Sequence, residues 1–274
     1  MPPIQSGFAD VKGARLYYEL AGSGASIVML HAGIADCRMW DGEFEAFARS
    51  HRALRFDMRG YGRSLPMDGE FNLQDDLEAL LATLDISPPY VLMGCSMGGG
   101  LAIDFALAHP DRVARLILVG SGPAGLELEA EWPDELFAES EAAFESGDVE
   151  RVAELDMRIW FDGAGRSRQD VNAEARHKAY AMAKLATERE LKGIGTHVRK
   201  DPARPAAERL HELSMPAFIV IGENDLPYLR LAADYATENL PAATKLLIPN
   251  AGHLPNLEHP ELFQSAVLDF LVDR

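Results

Sequence analysis

Tyr90-Val91-Leu92-Met93-Gly94-Cys95-Ser96-Met97-Gly98-Gly99-Gly100 decides how this chain is read. The unbroken apolar run from Tyr90 to Met93 suits a strand covered on both faces. Met97 to His109 is mostly apolar and is halted by Pro110, which predicts a helix. Between them Gly94-Cys95-Ser96-Met97-Gly98 matches G-x-S-x-G. A sharp strand-to-helix turn lifts a serine oxygen clear of the sheet, and the flanking glycines permit the strained backbone. The helix start offers the Met97 N–H and a positive dipole end to a developing oxyanion. The strand before and the helix after give the motif its weight.

Similar apolar runs recur at Ile27–Leu30, Ala53–Phe56, Leu116–Val119, Ala217–Ile221 and Lys245–Ile248. Helical patterns lie between them, at Leu73–Leu84 and again near the end at Pro260–Leu271. Strands alternating with helices predict an α/β fold with a mostly parallel central sheet flanked by helices. Phe8 to Leu20, around Lys12-Gly13, reads as an antiparallel hairpin at the sheet edge. From Ala124 to Glu212 no strand pattern appears. Helices are expected there at Glu127–Phe144 and Asn172–Leu191, with turns at Asp162–Gly165 and Asp201–Pro205. The predicted organisation is a core of residues 1–123 and 213–274, with 124–212 inserted as a helical cap.

A serine is a poor nucleophile without a base, and the base needs an orienting acid. Asp225 follows the run Ala217–Ile221 in Gly222-Glu223-Asn224-Asp225, and His253 follows the run ending at Ile248 in Gly252-His253. All three residues sit just past the carboxyl ends of predicted strands, where open α/β sheets place their sites. The expected catalytic set is therefore Ser96, His253 and Asp225, with Glu223 as the alternative carboxylate. A second oxyanion donor should come from the loop after an early strand. His31-Ala32-Gly33-Ile34 fits, with the Ile34 backbone N–H beside that of Met97 and His31 as a brace of the loop. Trp160 and Phe161 are the expected pocket residues of the insertion.

The chain resembles the α/β-hydrolase superfamily over essentially its whole length. The resemblance rests on His31-Ala32-Gly33, Asp57-Met58-Arg59-Gly60-Tyr61-Gly62-Arg63-Ser64, Gly94-Cys95-Ser96-Met97-Gly98-Gly99, Gly222-Glu223-Asn224-Asp225 and Gly252-His253. It implies an α/β-hydrolase fold and makes Asp57–Ser64 a structural turn rather than a source of catalytic groups. Serine at 96 separates the chain from haloalkane dehalogenases and epoxide hydrolases, which carry aspartate there. The loop Ile34–Asp41 looks like those of esterases and enol-lactonases. Leu254 stands where carbon–carbon-bond hydrolases usually have tryptophan.

Other classes fare worse. Gly120-Ser121-Gly122-Pro123-Ala124-Gly125 matches the dinucleotide pattern G-x-G-x-x-G, but Pro123 removes an N–H from the cradle and no opening βαβ unit surrounds it. It reads as the hinge into the insertion, while Gly98-Gly99-Gly100 reads as close helix packing. The two cysteines, Cys37 and Cys95, form no disulfide framework, and no Cys/His cluster has zinc spacing. No cofactor or metal is expected. A net charge of −17 repels nucleic-acid phosphates and anionic lipid. No basic, apolar leader opens the chain and no apolar run reaches the about 20 residues of a membrane span, so a cytoplasmic location is expected. The sequence thus predicts hydrolysis of a small ester or lactone. Carbon–carbon hydrolysis or cofactor-free perhydrolysis on the same triad is the alternative, and a non-enzymatic binding protein the remote one.

Overall fold

Eight strands form one sheet in the order β1-β2-β4-β3-β5-β6-β7-β8. They are β1 (Gln5–Val11), β2 (Ala14–Ala21), β3 (Ser26–Leu30), β4 (Arg52–Phe56), β5 (Tyr90–Cys95), β6 (Val113–Val119), β7 (Ala217–Gly222) and β8 (Ala243–Ile248). The computed structural model describes residues 2–65, 69–193, 197–198 and 203–272. β1 and β2 form the expected antiparallel edge hairpin, β2 also runs antiparallel to β4, and all other pairs are parallel. β4 lies on one side of β3 and β5 on the other, so the chain reverses its direction of travel between β3 and β5. Open α/β sheets hold their sites at that crevice, outside the carboxyl ends of the strands.

The continuous apolar runs are explained by burial on both faces. Val28, Leu30, Leu92, Leu116 and Ile219 join a core cluster with α2 (Leu73–Thr83), α3 (Met97–Ala108) and α7 (Pro227–Asn239). Their strand neighbours Ile27, Met29, Val91, Met93, Ile117 and Val220 join a second cluster with α1 (Asp41–Phe47), α8 (Pro255–Glu258) and α9 (Pro260–Val272). Fully burying each such side chain is worth about 1.5–3 kcal/mol. β8 departs from the pattern, with Leu247 at 46% exposure, because it is the outer edge of the sheet.

Between β6 and β7 run α4 (Asp134–Glu145), α5 (Val149–Asp156), a π-helical turn (Met157–Asp162) and α6 (Ala173–Glu190). α6 lies where the sequence predicts it. α4 corrects the expectation of a helix from Glu127. Pro133 would lose a helical hydrogen bond and clash with the preceding turn, so the helix begins after it. The irregular stretch ahead is tied down instead, with Tyr228 Oη donating to Leu126 O at 2.8 Å and Trp132 packed on Tyr228. Of the expected turn at Asp201–Pro205, Asp201 and Pro202 lie outside the described residues. Among the described residues no helix is long and apolar enough to cross a membrane.

Candidate active site

Ser96 sits between β5 and α3 with φ 52°, ψ −115°, a positive φ that only a tightly constrained turn imposes on a non-glycine residue. The two glycines of the motif are fixed by close approach. A Cβ at Gly94 would collide with Gly98 O, and one at Gly98 with Leu30 O. α3 is thereby pressed onto the end of β3, where Leu30 pairs with Gly94. Ser96 N donates to Val119 O at 2.9 Å, which ties the turn to β6, and its side chain is partly exposed.

Asp225 and His253 are each about 1% exposed. His253 Nδ1 lies 2.9 Å from Asp225 Oδ2 and 3.1 Å from Oδ1, and Oδ1 also accepts from Leu226 N at 2.8 Å. A carboxylate so placed fixes the imidazole tautomer, with the proton on Nδ1. Glu223 does not approach the histidine; its carboxylate accepts from Asn250 N. Among the described residues no hydrogen bond joins Ser96 Oγ to His253. Such bonds are often long without substrate and tighten only in the complex.

The insertion reaches this histidine through its π-helical turn. His253 N donates to Trp160 O at 2.9 Å, and the two rings pack with centroids 4.9 Å apart. Arg166 donates to Phe161 O, Asp162 O and Asn250 O, and pairs with Glu258, which accepts from Gly252 N at 2.6 Å. Arg166 and Glu258 side chains are 8% and 3% exposed, and a paired, desolvated set of this kind holds its partners in one arrangement. Phe161 is fully buried among core residues rather than on a cavity wall, whereas Trp160 touches the histidine.

The His31 loop ends beside the helix start, since a Cβ at Gly33 would stand 4.0 Å from the Met97 side chain. Among the described residues neither Ile34 N–H nor Met97 N–H has a hydrogen-bond partner. His31 Nε2 accepts from Met58 N at 2.9 Å and Nδ1 faces Ala32 O at 2.8 Å, while burial pushes its pKa down. It is a neutral brace between two loops. Arg59 forks onto Asp76 at 2.6 and 2.8 Å, and Asp57 accepts from Cys37 N and Arg63 N, so both are structural.

Gly120 corrects the sequence reading most usefully. It is not only a hinge: a Cβ there would stand 2.9 Å from His253 Nδ1 and 3.1 Å from Asp225 Oδ2. The signal for this is its place at the end of β6, between the strands that lead to serine and to aspartate.

Three adjoining cavities open here. One of about 230 Å³ is lined by Ser96, Met97 and Gly100, and one of about 530 Å³ by Gly33, Tyr61 and Met97. The third, about 620 Å³, is lined by Gly33 and Ile34 together with Asp134, Glu141, Asp156 and Glu190, and no described basic side chain lines it. Burial and the Glu190 charge push the Asp156 carboxyl up to about 7. The described residues include one cluster with metal-ligand spacing, Asp36, Cys37 and Asp57. It fits a metal poorly. Its carboxylates are already engaged by Arg38, Cys37 N and Arg63 N, and burial drives the Cys37 thiol far above its ordinary pKa.

A family model for the alpha/beta hydrolase fold matches residues 25–260. The chain belongs to that family. It is similar to the pimeloyl-[acyl-carrier protein] methyl ester esterase of Nitrosomonas europaea, at 29% identity over 92% of this chain and 98% of the relative. It is also similar to a 2-hydroxy-6-oxononadienedioate/2-hydroxy-6-oxononatrienedioate hydrolase of Cupriavidus pinatubonensis, at 28% identity over 94% and 90%. Among solved structures, the enol-lactonase of Burkholderia xenovorans LB400 superposes with a TM-score of 0.76 at 22% identity, covering 97% of this chain and 100% of that one. That likeness shows the fold. Family and relatives together make this chain a hydrolase.

Proposed function

We propose that this protein hydrolyses a small carboxylic ester or lactone through an acyl-enzyme on Ser96. The observation that carries the reading is the buried His253–Asp225 pair together with a serine held at positive φ on a strand-to-helix turn, whose preceding residue Cys95 donates through Sγ to His253 O at 3.7 Å. With Nδ1 committed to Asp225, His253 has Nε2 left to take the Ser96 proton as Oγ attacks the carbonyl carbon. The Ile34 and Met97 N–H groups receive the oxyanion, and the tetrahedral intermediate collapses as His253 returns the proton to the leaving alcohol. Water then repeats the sequence on the acyl-enzyme. Residues 124–212 act as a cap over a core of 1–123 and 213–274, bringing Trp160 against the base.

Carbon–carbon hydrolysis is the second reading, favoured by the similarity to the Cupriavidus hydrolase. A dioate substrate asks for cationic partners. Arg38 is bound to Asp36 and Arg59 to Asp76, and the largest of the three adjoining cavities is lined by carboxylates. That lining favours the ester or lactone. Turnover of an ester and lactone panel, lost in Ser96→Ala, with fluorophosphonate labelling at Ser96, is the expected result. Labelling elsewhere, or cleavage of a dienoic ring-fission product alone, would refute the proposal.

A further inference from the structure

The three glycines that open α3 are of two kinds. A Cβ at Gly98 or Gly99 would collide with Leu30 O or Ser121 Oγ, so packing holds both small. A Cβ at Gly100 would meet nothing within 4 Å. Gly100 lies inside a regular helix, where glycine is the least favoured residue after proline. Neither packing nor backbone conformation asks for glycine there. Gly100 does border the cavity of about 230 Å³ that contains Ser96.

The polar wall of that cavity includes Asn72, Gln74 and Asp104. The Asn72 carboxamide is mostly engaged: Oδ1 caps α2 by accepting from Gln74 N and Asp75 N, and Nδ2 spends one of its two N–H groups on Val198 O. The Gln74 carboxamide makes no hydrogen bond among the described residues, so it offers a donor and an acceptor. Asp104 and His197 complete the polar lining.

We propose that Gly100 keeps open a subsite beside Ser96 for one short, hydroxyl- or amide-bearing arm of the substrate, with Gln74 as its polar contact. The proposal rests on Ser96 being the nucleophile. The two larger cavities are left for the other arm.

Proton release from ester hydrolysis, read with a pH indicator, tests it. The acyl series is methyl acetate, methyl butyrate and methyl 3-hydroxybutyrate. The alcohol series is propyl butyrate and 2-hydroxyethyl butyrate. The wild type should prefer the hydroxylated member of one series by about tenfold in kcat/KM, and that series identifies the arm. Gln74→Leu should abolish the hydroxyl preference. Gly100→Leu should lower kcat/KM for the hydroxylated ester at least tenfold relative to methyl acetate, with no fall in Tm, and Gly100→Ala should raise Tm. Unmoved ratios in an active enzyme overturn the subsite alone. A Gly100→Leu protein that melts lower or does not fold overturns it too, because the space was not open. A wild type inert to every ester and unlabelled by fluorophosphonate overturns the nucleophile, and the subsite with it.

Discussion

Replacing Asp225 with asparagine removes one charge and no volume, and the local hydrogen bonds dictate how the site responds. Asp225 Oδ1 accepts from Leu226 N at 2.8 Å, so the asparagine carbonyl must take that position. The amide nitrogen then occupies the Oδ2 position, 2.9 Å from His253 Nδ1. Two N–H groups cannot face each other, so Nδ1 becomes the acceptor and the ring proton moves to Nε2. The imidazole is then unable to accept the serine proton. An inverted tautomer of this kind costs about 10⁴ in kcat, which is about 5.5 kcal/mol at 1.36 kcal/mol per decade. Steady-state hydrolysis of a chromogenic ester, alongside the rate of Ser96 phosphonylation, measures the loss. ¹⁵N shifts of the histidine ring report the tautomer directly. An Asp225→Asn enzyme within tenfold of wild type would refute the orienting role.

Other outcomes are equally open to measurement. Glu43 is 1% exposed, and burial raises its carboxyl from the ordinary 4.5 to about 7, against hydrogen bonds from Gln264 and Asn256. The folded protein therefore binds a proton more tightly than the unfolded chain, so this group contributes stability below pH 4.5 that is lost as pH rises through 7. The full effect is about 3 kcal/mol, and Glu43→Gln should flatten the fall in urea stability between pH 5 and 8; parallel wild-type and mutant curves would contradict it. Gly98→Ala should cost about 1–3 kcal/mol by forcing α3 off Leu30 O, despite alanine's better helix propensity, and a melting point equal to wild type would show that the contact relaxes freely.

Much of the site is legible in the sequence because local chemistry announces it. Ser96, Asp225 and His253 each stand at the end of an apolar run, beside glycines, and the sheet topology then gathers three separated loops at one edge. What escapes the sequence depends on distant partners. Arg166 meets Glu258 across 92 positions and Glu43 meets Asn256 across 213, and neither pairing leaves a periodic trace in the chain. An aromatic pair ahead of a turn makes Phe161 look like a pocket residue. The π-helical turn instead sends it inward while Trp160 meets the histidine, an orientation that no helical or strand period encodes. Gly120 reads as a hinge from its own motif, although its constraint comes from side chains more than a hundred residues later.

The contact between Trp160 O and His253 N bears on how this enzyme can be re-engineered or can diverge. Exchanging the inserted helices for those of a relative is an attractive route to new substrates, since the insertion leaves and re-enters the chain at β6 and β7. Yet residues 157–166 carry the main-chain oxygens and the arginine that anchor the loop around His253, the residue proposed as general base. A graft that brings a foreign version of this stretch imports a different suspension for His253, so its failure would say nothing about substrate fit. The natural seam for recombination lies at the end of α5 and the start of α6, with the π-helical turn inherited together with the core.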